Sequence, residues 1–467
     1  MRKTAYVLLA LFAGTALAAA KDVSPKSLEQ HALERRAVEA VIWGMPAVNA
    51  DLMLQEALSK TKAKVNEIVY WSKPVNWKNQ TLTPNPDSIY FMSFWNVKDG
   101  PVVIEIPPAE GGSIAGNIVN AWQMPLEDAG PEGADKGKGG KYLLLPPGYK
   151  DAVPEGYIAL HSDTYSGFAL LRSNLKSHAE ADVEKSVAYG KRIKVYPLAK
   201  AENPPETAFT DAYDVLFDAT IRYDASFFDN LNRVVQTEPW LDRDRLMIDQ
   251  LKTIGIEKGK PYKPAEGSKA TLDTAAEEAH ALLSARYDQG FPVINEGIRW
   301  FPAAAAEMVK AAQGGYTDPD QYPVDVRGVT YTLGFTGIKR IGTAQFYLMA
   351  NKDKDGHAFD GKQTYRLVVP AHAPVKQYWS VTAYDRETHA LIRNMDKASI
   401  ASISPGLKTN ADGSVDVTFS AKAPKGKEAN WVPVDPARKF ELLFRLYGPE
   451  KPLFDKSWKL PDVEKVK

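Results

Sequence analysis

The sequence predicts a mainly β protein with α-helices, in which an N-terminal β domain and a C-terminal β domain flank a helical connection. Short apolar runs bounded by proline, glycine and asparagine occur from Val65 to about Leu198 and return after Tyr316. Between residues 205 and 315 the apolar residues recur at helical spacing instead. A chain of 467 residues has the length of two domains, or of one domain with a large insertion. We therefore divide it into segments 1–20, 21–204, 205–315 and 316–467.

The first twenty residues have the pattern of a signal peptide. A basic start at Arg2 and Lys3 precedes a run without charges from Ala5 to Ala18, and small residues follow at the cleavage position. The apolar run is shorter than the roughly 20 residues that a membrane-spanning helix needs. We expect cleavage before Ala19 or Lys21 and a periplasmic or secreted protein with no transmembrane segment in its mature chain.

Charge and cysteine content exclude several classes of function. Lysine plus arginine equals aspartate plus glutamate at 58 each, so no excess of positive charge points to nucleic acid as a partner. The chain contains 0 cysteines, which excludes disulfides, thiolate nucleophiles and iron–sulfur clusters. No motif for a cofactor stands out either, and we predict none.

The N-terminal half begins with helix and continues with strands. Apolar residues between Leu28 and Lys60 have helical spacing, which Gly44 and Pro46 interrupt, so we expect two helices joined at a break. Two strand-like runs flank the turn residues 98–101 and predict a hairpin. Further strands are expected at 141–145, 157–160 and 167–171, and this density of strands favours a sandwich or barrel.

The second half repeats the alternation of helices and strands. Helices are expected at 211–234, 241–254, 269–287 and 303–312, the last ending at Gly314 and Gly315. Strands are expected at 364–369, 377–383, 415–419 and 440–446. No internal repeat at a fixed period is visible.

Two groups of motifs resemble a bacterial pair of domains of unknown function. The sequences at 43–46, 83–90, 100–103 and 142–148 resemble the pattern of domain of unknown function 1254. Those at 355–356, 359–361, 378–385, 430–433 and 444–449, with Trp458, resemble domain of unknown function 1214. The resemblance implies an N-terminal β domain and a C-terminal jelly-roll-like β-sandwich. It implies no activity, since the family name assigns none.

The strongest candidate for a site in the first domain is the proline-bounded loop Thr83-Pro-Asn-Pro-Asp-Ser-Ile-Tyr90. Two prolines stiffen it, and it presents an amide, a carboxylate and a phenol on a β scaffold, where binding sites concentrate. We predict Asp87 as the catalytic acid–base group, with Asn85 and Tyr90 orienting the ligand. The alternative is a turn whose side chains bond to their own backbone.

The second domain offers a similar aromatic and polar set. Strand alternation places Arg445 and Tyr447 on one face and Phe444 and Leu446 on the other, so the first two can line a surface together. The predicted ligand-binding residues of this domain are Trp379, Asn430, Trp431, Arg445 and Tyr447. For the two tryptophans, a place in the core is the alternative.

The loop from Asn351 to Asp360 matches only the first half of a calcium-binding loop. Its twelfth position is Lys362 in place of the bidentate glutamate, which excludes a standard EF-hand. The alternative is a looser calcium site in which Asp360 takes the place of the glutamate. A hairpin turn explains the pattern better, and we predict no metal ligand.

The sequence leaves two functions open. The first is an exported protein that binds, and as a further step hydrolyses, a polar small molecule or glycan, although glycoside cleavage needs a second carboxylate that the sequence does not reveal. The second is a non-catalytic periplasmic binding or assembly module whose motifs hold the domains together. The oligomeric state is left open as well.

Overall fold

A computed structural model describes residues 24–334, 337–340 and 344–466. The predicted signal peptide, residues 1–20, lies outside the described residues. The described chain confirms the predicted architecture of two β regions with helices between them. The boundaries at 204 and 315 stay predictions.

The first helix is longer than the sequence indicates, and it lies within the helical layer. The helices are α1 Pro25–Glu56, α2 Glu180–Gly190, α3 Ser226–Thr237, α4 Arg245–Thr253, α5 Lys269–Gln289, α6 Ala306–Gln313, α7 Val324–Thr332 and α8 Lys451–Phe454. The Ser24 side chain caps α1 by accepting a hydrogen bond from the Ser27 amide, and proline occupies its first turn. Helix α1 packs against α3, α4, α5 and α7.

The predicted break in this helix is wrong, because α1 is continuous through Gly44 and Pro46. Proline removes one amide donor from the helix, and side chains from other elements bond to nearby carbonyls. Arg327 donates to the Trp43 carbonyl at 2.6 Å, and Gln123 donates to the Pro46 carbonyl at 2.8 Å. A β-carbon at Gly44 would lie 2.9 Å from Leu231 Cδ1 of α3, so the glycine permits close helix packing.

The close contact at Gly44 predicts the effect of adding a methyl group there. Helix propensity alone would make Gly44→Ala stabilising by about 1 kcal/mol. We expect a net loss of about 1 to 2 kcal/mol instead, because Leu231 is fully buried and has little room to move. Urea denaturation measures this change in the free energy of unfolding. In the double variant Gly44→Ala with Leu231→Ala, the smaller side chain at 231 should remove the loss that the added methyl group causes. A more stable Gly44→Ala protein would show that α1 and α3 do not pack this closely.

The segment Pro25–Thr61 is also long and apolar enough to cross a membrane, and an apolar N-terminal helix is compatible with a signal sequence. In its most apolar window, 78% of the helix is buried inside the protein. A core helix meets the same criteria of length and composition, and the contacts of α1 are those of a core helix.

The N-terminal strands form two main sheets with a core between them. They are β1 Ile68–Tyr70, β2 Asn79–Gln80, β3 Ser88–Asn96, β4 Val102–Ile106, β5 Ile114–Asn120, β6 Pro125–Ala129, β7 Gly140–Leu145, β8 Tyr157–His161, β9 Ser166–Asn174, β10 Lys194–Pro197, β11 Phe209–Asp211 and β12 Phe217–Asp218. One sheet has the order β11-β1-β3-β9-β5-β6 and the other β10-β4-β7-β8, while β2 pairs with β12. Apolar side chains of both sheets form one buried cluster.

Two predictions for this region are wrong. The runs that we expected to form a hairpin are β3 and β4, which belong to different sheets, so the turn at 98–101 is a sandwich corner. The residues expected to begin a helix at 211 instead form β11 and β12, and the helix begins at Ser226. Parallel pairing of β11 with β1 and of β12 with β2 overrides the local preference for helix there.

The C-terminal strands also form two sheets around a core. They are β13 Phe301–Pro302, β14 Gln345–Ala350, β15 Thr364–Val369, β16 Trp379–Asp385, β17 Ser399–Ala401, β18 Val415–Ser420, β19 Trp431–Pro433, β20 Phe440–Tyr447 and β21 Glu464–Val466. The orders are β13-β14-β20-β16-β17 and β19-β18-β15-β21. The jelly-roll connection of these strands stays a prediction.

The outer faces of two sheets meet the helices in a third core. This cluster joins α1 and α3–α7 to Tyr90, Met92 and Phe168 of the N-terminal six-stranded sheet, and to Met349 and Leu443 of the C-terminal five-stranded sheet. Each of these two sheets is therefore covered on both faces. The place where both sheets and α1 converge holds the cavity described next.

Candidate functional site

The predicted loop connects β2 to β3 and is held by the C-terminal domain. Thr83 has φ = 40°, a left-handed conformation that is unusual for a β-branched residue. Its amide donates to the His389 carbonyl at 2.7 Å, and its hydroxyl donates to the Leu333 carbonyl at 2.7 Å. These bonds fix the loop in a strained conformation against the second domain.

Arg445 of β20 reaches this loop from the other domain. Its Nη2 donates to the Thr83 carbonyl at 2.8 Å and to the Tyr384 hydroxyl at 2.6 Å, while Nη1 donates to the Thr382 hydroxyl at 3.0 Å. The Tyr384 hydroxyl in turn donates to the Pro84 carbonyl at 2.6 Å. Since Arg445 is only 1% exposed, it is a buried charge whose terminal nitrogens connect the two domains.

Asn85 connects the same loop to a pair of stacked tyrosines. Its side-chain amide donates to the Tyr447 hydroxyl at 2.8 Å and to the Tyr378 hydroxyl at 3.2 Å, and its backbone amide donates to the Tyr90 hydroxyl at 2.8 Å. The rings of Tyr378 and Tyr447 stack with centroids 4.5 Å apart. Burial and the neighbouring tyrosines raise the pKa of Tyr447, so its hydroxyl stays protonated at neutral pH.

A cavity of about 80 Å³ lies between this loop, α1 and the two sheets. Strand alternation selects the residues that face it: every second residue of β3, β9, β14 and β20. The lining side chains from these strands are Tyr90, Met92, Phe168, Leu170, Arg172, Gln345, Tyr347, Met349, Leu443 and Arg445. Asn49 and Met53 of α1 and the loop residues Thr83, Pro84 and Asn85 also line it.

Several buried polar atoms of the lining residues have no hydrogen-bond partner. They are Oδ1 of Asn117, Nε and Nη1 of Arg172, Oε1 of Gln345 and Nε of Arg445. Arg172 is 6% exposed and lies over the ring of Tyr90, with 5.5 Å from Cζ to the ring centroid. Within residues 24–334, 337–340 and 344–466, neither arginine has a carboxylate oxygen within 4.0 Å. Buried polar groups normally have partners, so these atoms are positioned to bond to water or to a bound molecule in the cavity.

The structure brings together four of the predicted residues. Asn85, Tyr90 and Arg445 line the cavity, and Tyr447 contacts Asn85 directly behind it. The predicted alternation along β20 is confirmed, because Phe444 lies in the C-terminal core while Arg445 faces the cavity.

Asp87 lies beside the cavity and does not line it. Its side chain is fully buried, and both carboxylate oxygens lie 3.0 Å from the Ser399 hydroxyl. His178 Nε2 lies 3.2 Å from Oδ1. The Asp87 backbone carbonyl accepts a bond from Tyr378 at 3.1 Å. The predicted alternative, a carboxylate that holds the loop, therefore describes its surroundings better than a catalytic role.

The other three predicted residues lie away from the cavity. Trp379 stacks on Phe444 within the C-terminal core. Asn430 exchanges hydrogen bonds with the backbone of Lys408, and Trp431 Nε1 donates to the Ser420 carbonyl. Trp379 lies in the core, as its alternative states, while Trp431 is half-buried at the start of β19. All three residues lie outside the lining of this cavity, and their role in ligand binding stays a prediction.

The sequence analysis missed Arg172, Gln345 and Tyr347. A period-two reading of β9 would have placed Arg172 on the same face as Phe168 and Leu170, where a charged residue between apolar neighbours is unusual. No comparable signal marks Gln345 and Tyr347, which are brought to the cavity by the pairing of β14 with β20.

The calcium-like loop brings three potential ligands together. Side-chain atoms of Asp353, Asp355 and His357 lie within 4.8 Å of one another. Asp353 Oδ1 already accepts hydrogen bonds from the backbone amides of the other two residues, at 3.0 and 2.9 Å. This is the geometry of a turn, and we infer no metal site from it.

Comparisons with known proteins support the domain pairing. Family models described as "Protein of unknown function (DUF1254)" and "Protein of unknown function (DUF1214)" match residues 65–197 and 344–451. The crystal structure of the VPA0106 protein from Vibrio parahaemolyticus is similar with a TM-score of 0.58 at 18% identity, covering 93% of this chain and 100% of that chain. An uncharacterised protein from Burkholderia cenocepacia has a TM-score of 0.42 at 12% identity, covering 94% and 96%. None of the curated proteins matches the chain.

Proposed function

Because this chain belongs to the family that pairs domains of unknown function 1254 and 1214, whose names assign no activity, we propose a function from its cavity: an exported protein that binds a small polar molecule between its two domains. The observation that carries the proposal is the set of buried, unpartnered polar atoms lining one cavity. The signal-peptide pattern of residues 1–20 supports export.

Binding is better supported than hydrolysis. Among the described residues that line the cavity there is no carboxylate and no imidazole, the side chains that most often transfer protons in hydrolysis. The carboxylate of Asp87 is bonded to Ser399 and lies outside the lining. Most glycoside hydrolases use two carboxylates facing one bond, and the described residues that line this cavity offer none.

One observation favours the second candidate, a non-catalytic binding or assembly module whose motifs only hold the domains together. Asn85 and Arg445 each bond across the domain interface, so they stabilise it with or without a ligand. The unpaired Nε and Nη1 of Arg172 distinguish the two functions, since an interface of purely structural purpose gains nothing from a buried charge without a counter-ion.

Filling the cavity tests the proposal. Leu170→Trp adds bulk at a lining position, and Leu282→Trp makes the same change at a partly exposed position of α5 as a control. We expect at least one compound in a panel of sugars, amino acids and small carboxylic acids to raise the melting temperature of the wild type and of Leu282→Trp. Leu170→Trp should show no such shift.

Two results would contradict this function. One is a panel in which no compound, at about 10 mM, raises the melting temperature of the wild type, since a ligand of the folded state must stabilise it. The other is a shift that persists unchanged in a folded Leu170→Trp protein, which would place the binding site elsewhere.

A further inference from the structure

The cavity contains more positive charge than its surroundings neutralise. Arg172 and Arg445 both line it, and both remain protonated at any physiological pH. Tyrosine hydroxyls, threonine hydroxyls and carbonyls are their nearest described polar partners, and none of these carries a full negative charge. The sequence from Gly334 to Ala344, which includes the lining residue Ile338, contains no acidic residue. A buried guanidinium without a counter-ion is unfavourable, so an anion is the expected occupant.

The cavity adjoins a more open apolar groove. Ala303, Ile338, Gln345 and Tyr347 line both, so the two spaces adjoin at these residues. The groove has a volume of about 390 Å³ and is lined mainly by apolar side chains. Its other apolar residues are Phe291, Pro292, Ala304, Ala306, Val309 and Phe346.

The two spaces differ in size and chemistry. The inner cavity, at about 80 Å³, has room for a head group and little more, while the groove has room for an extended chain. Arginine pairs with carboxylate and phosphate oxygens through its planar set of donors, and an apolar body gains free energy by leaving water. A molecule that satisfies both spaces has a negative charge at one end and an apolar body at the other.

We propose that the ligand is an amphiphile with an oxyanion head group, carboxylate or phosphate, which binds between Arg172 and Arg445 while its apolar body lies in the groove. This inference rests on the proposed binding function and specifies the class of ligand. Two observations carry this inference. Both arginines have unpaired nitrogens, and Tyr347 and Gln345 line the cavity and the groove where the two spaces adjoin.

The first experiment compares head groups on the wild-type protein by calorimetry at pH 7.5. Octanoate and octyl phosphate should bind, and the tighter of the two identifies the oxyanion. Octanamide, which has the same chain and no charge, should bind at least tenfold more weakly, and acetate, which lacks the chain, should also bind at least tenfold more weakly. Equal affinity for octanoate, octyl phosphate and octanamide would overturn the proposal.

The second experiment changes each end of the site. Arg172→Met should weaken binding of the preferred anion at least tenfold with little change in the melting temperature of the ligand-free protein, because removal of a buried charge without a counter-ion offsets the loss of its few contacts. Arg245→Met, which removes an exposed arginine, should change neither. Val309→Asp in the groove should weaken the binding of octanoate more than the binding of acetate. Leu246→Asp, at an exposed position of α4, is the control for this change.

Failure of this inference is distinguishable from failure of the proposed function. If neutral sugars or amino acids bind in a manner that Leu170→Trp abolishes, and the anionic amphiphiles do not bind, the cavity is a binding site and the ligand class is wrong. If no compound of either kind binds, both are wrong. The inference is also overturned if Arg172→Met binds octanoate as tightly as the wild type does. Should that variant fail to fold, the comparison of head groups on the wild-type protein is the deciding test.

Discussion

Arg445→Met is expected to lower the free energy of unfolding by about 3 kcal/mol, since hydrogen bonds made by a charged group contribute about 1.5 to 3 kcal/mol each. Arg445 donates to the Thr83 carbonyl, the Tyr384 hydroxyl and the Thr382 hydroxyl, and all three partners are left without this donor in the variant. Removing the unfavourable burial of the charge offsets part of the loss. Urea denaturation with a constant m-value is the appropriate measurement.

The second arginine of the cavity provides the matched control. Arg172 is buried like Arg445, and its Nε and Nη1 have no partner. Its replacement by methionine should change the stability by less than about 1 kcal/mol in either direction, since little hydrogen bonding is lost with the charge. Equal losses for the two variants would show that burial of the side chain, and not its bonds across the domains, determines the effect.

The sequence was informative where a local pattern decides the structure. Alternation along β20 placed Arg445 and Tyr447 opposite Phe444, and pairing with β14 and β16 keeps that alternation. Two prolines marked the loop that carries Asn85. The same alternation, applied to β16, would have assigned Trp379 to the core face and Tyr384 to the cavity face, where the structure has them.

The remaining parts of the site depend on contacts between distant segments. Asn85 meets Tyr447 across 362 residues of sequence, and neither residue's surroundings indicate the other. Local sequence preference also predicted a break at Gly44 and Pro46 that the helix does not have. There Leu231 packs closely against Gly44, and Arg327 donates a hydrogen bond to the Trp43 carbonyl near the proline. The position of Asp87 depends on Ser399 and His178, which come from both sides of the domain interface and share no motif with it.

Asp87→Asn is expected to destabilise the protein by about 1 to 3 kcal/mol while ligand binding by the folded fraction is retained, since its carboxylate makes charge-assisted contacts. The change is nearly isosteric. It replaces one acceptor oxygen by a donor that faces the Ser399 hydroxyl and His178, in a place with no access to water. The Ser399 hydroxyl contacts a carboxylate with two acceptor oxygens and a negative charge, whereas the amide offers one acceptor oxygen and no charge.

Two companion variants separate the structural role of Asp87 from the catalytic one. Asp99→Asn, at an exposed turn, is the control for charge loss and should leave the free energy of unfolding unchanged within about 0.5 kcal/mol. Ser399→Ala should reproduce about half of the Asp87→Asn loss or more, because the hydroxyl is the partner of both oxygens and its bond contributes about 1 kcal/mol or more. A variant with wild-type stability that no longer responds to any ligand would return Asp87 to the site, because a carboxylate needed only by the fold cannot be lost without a change in stability.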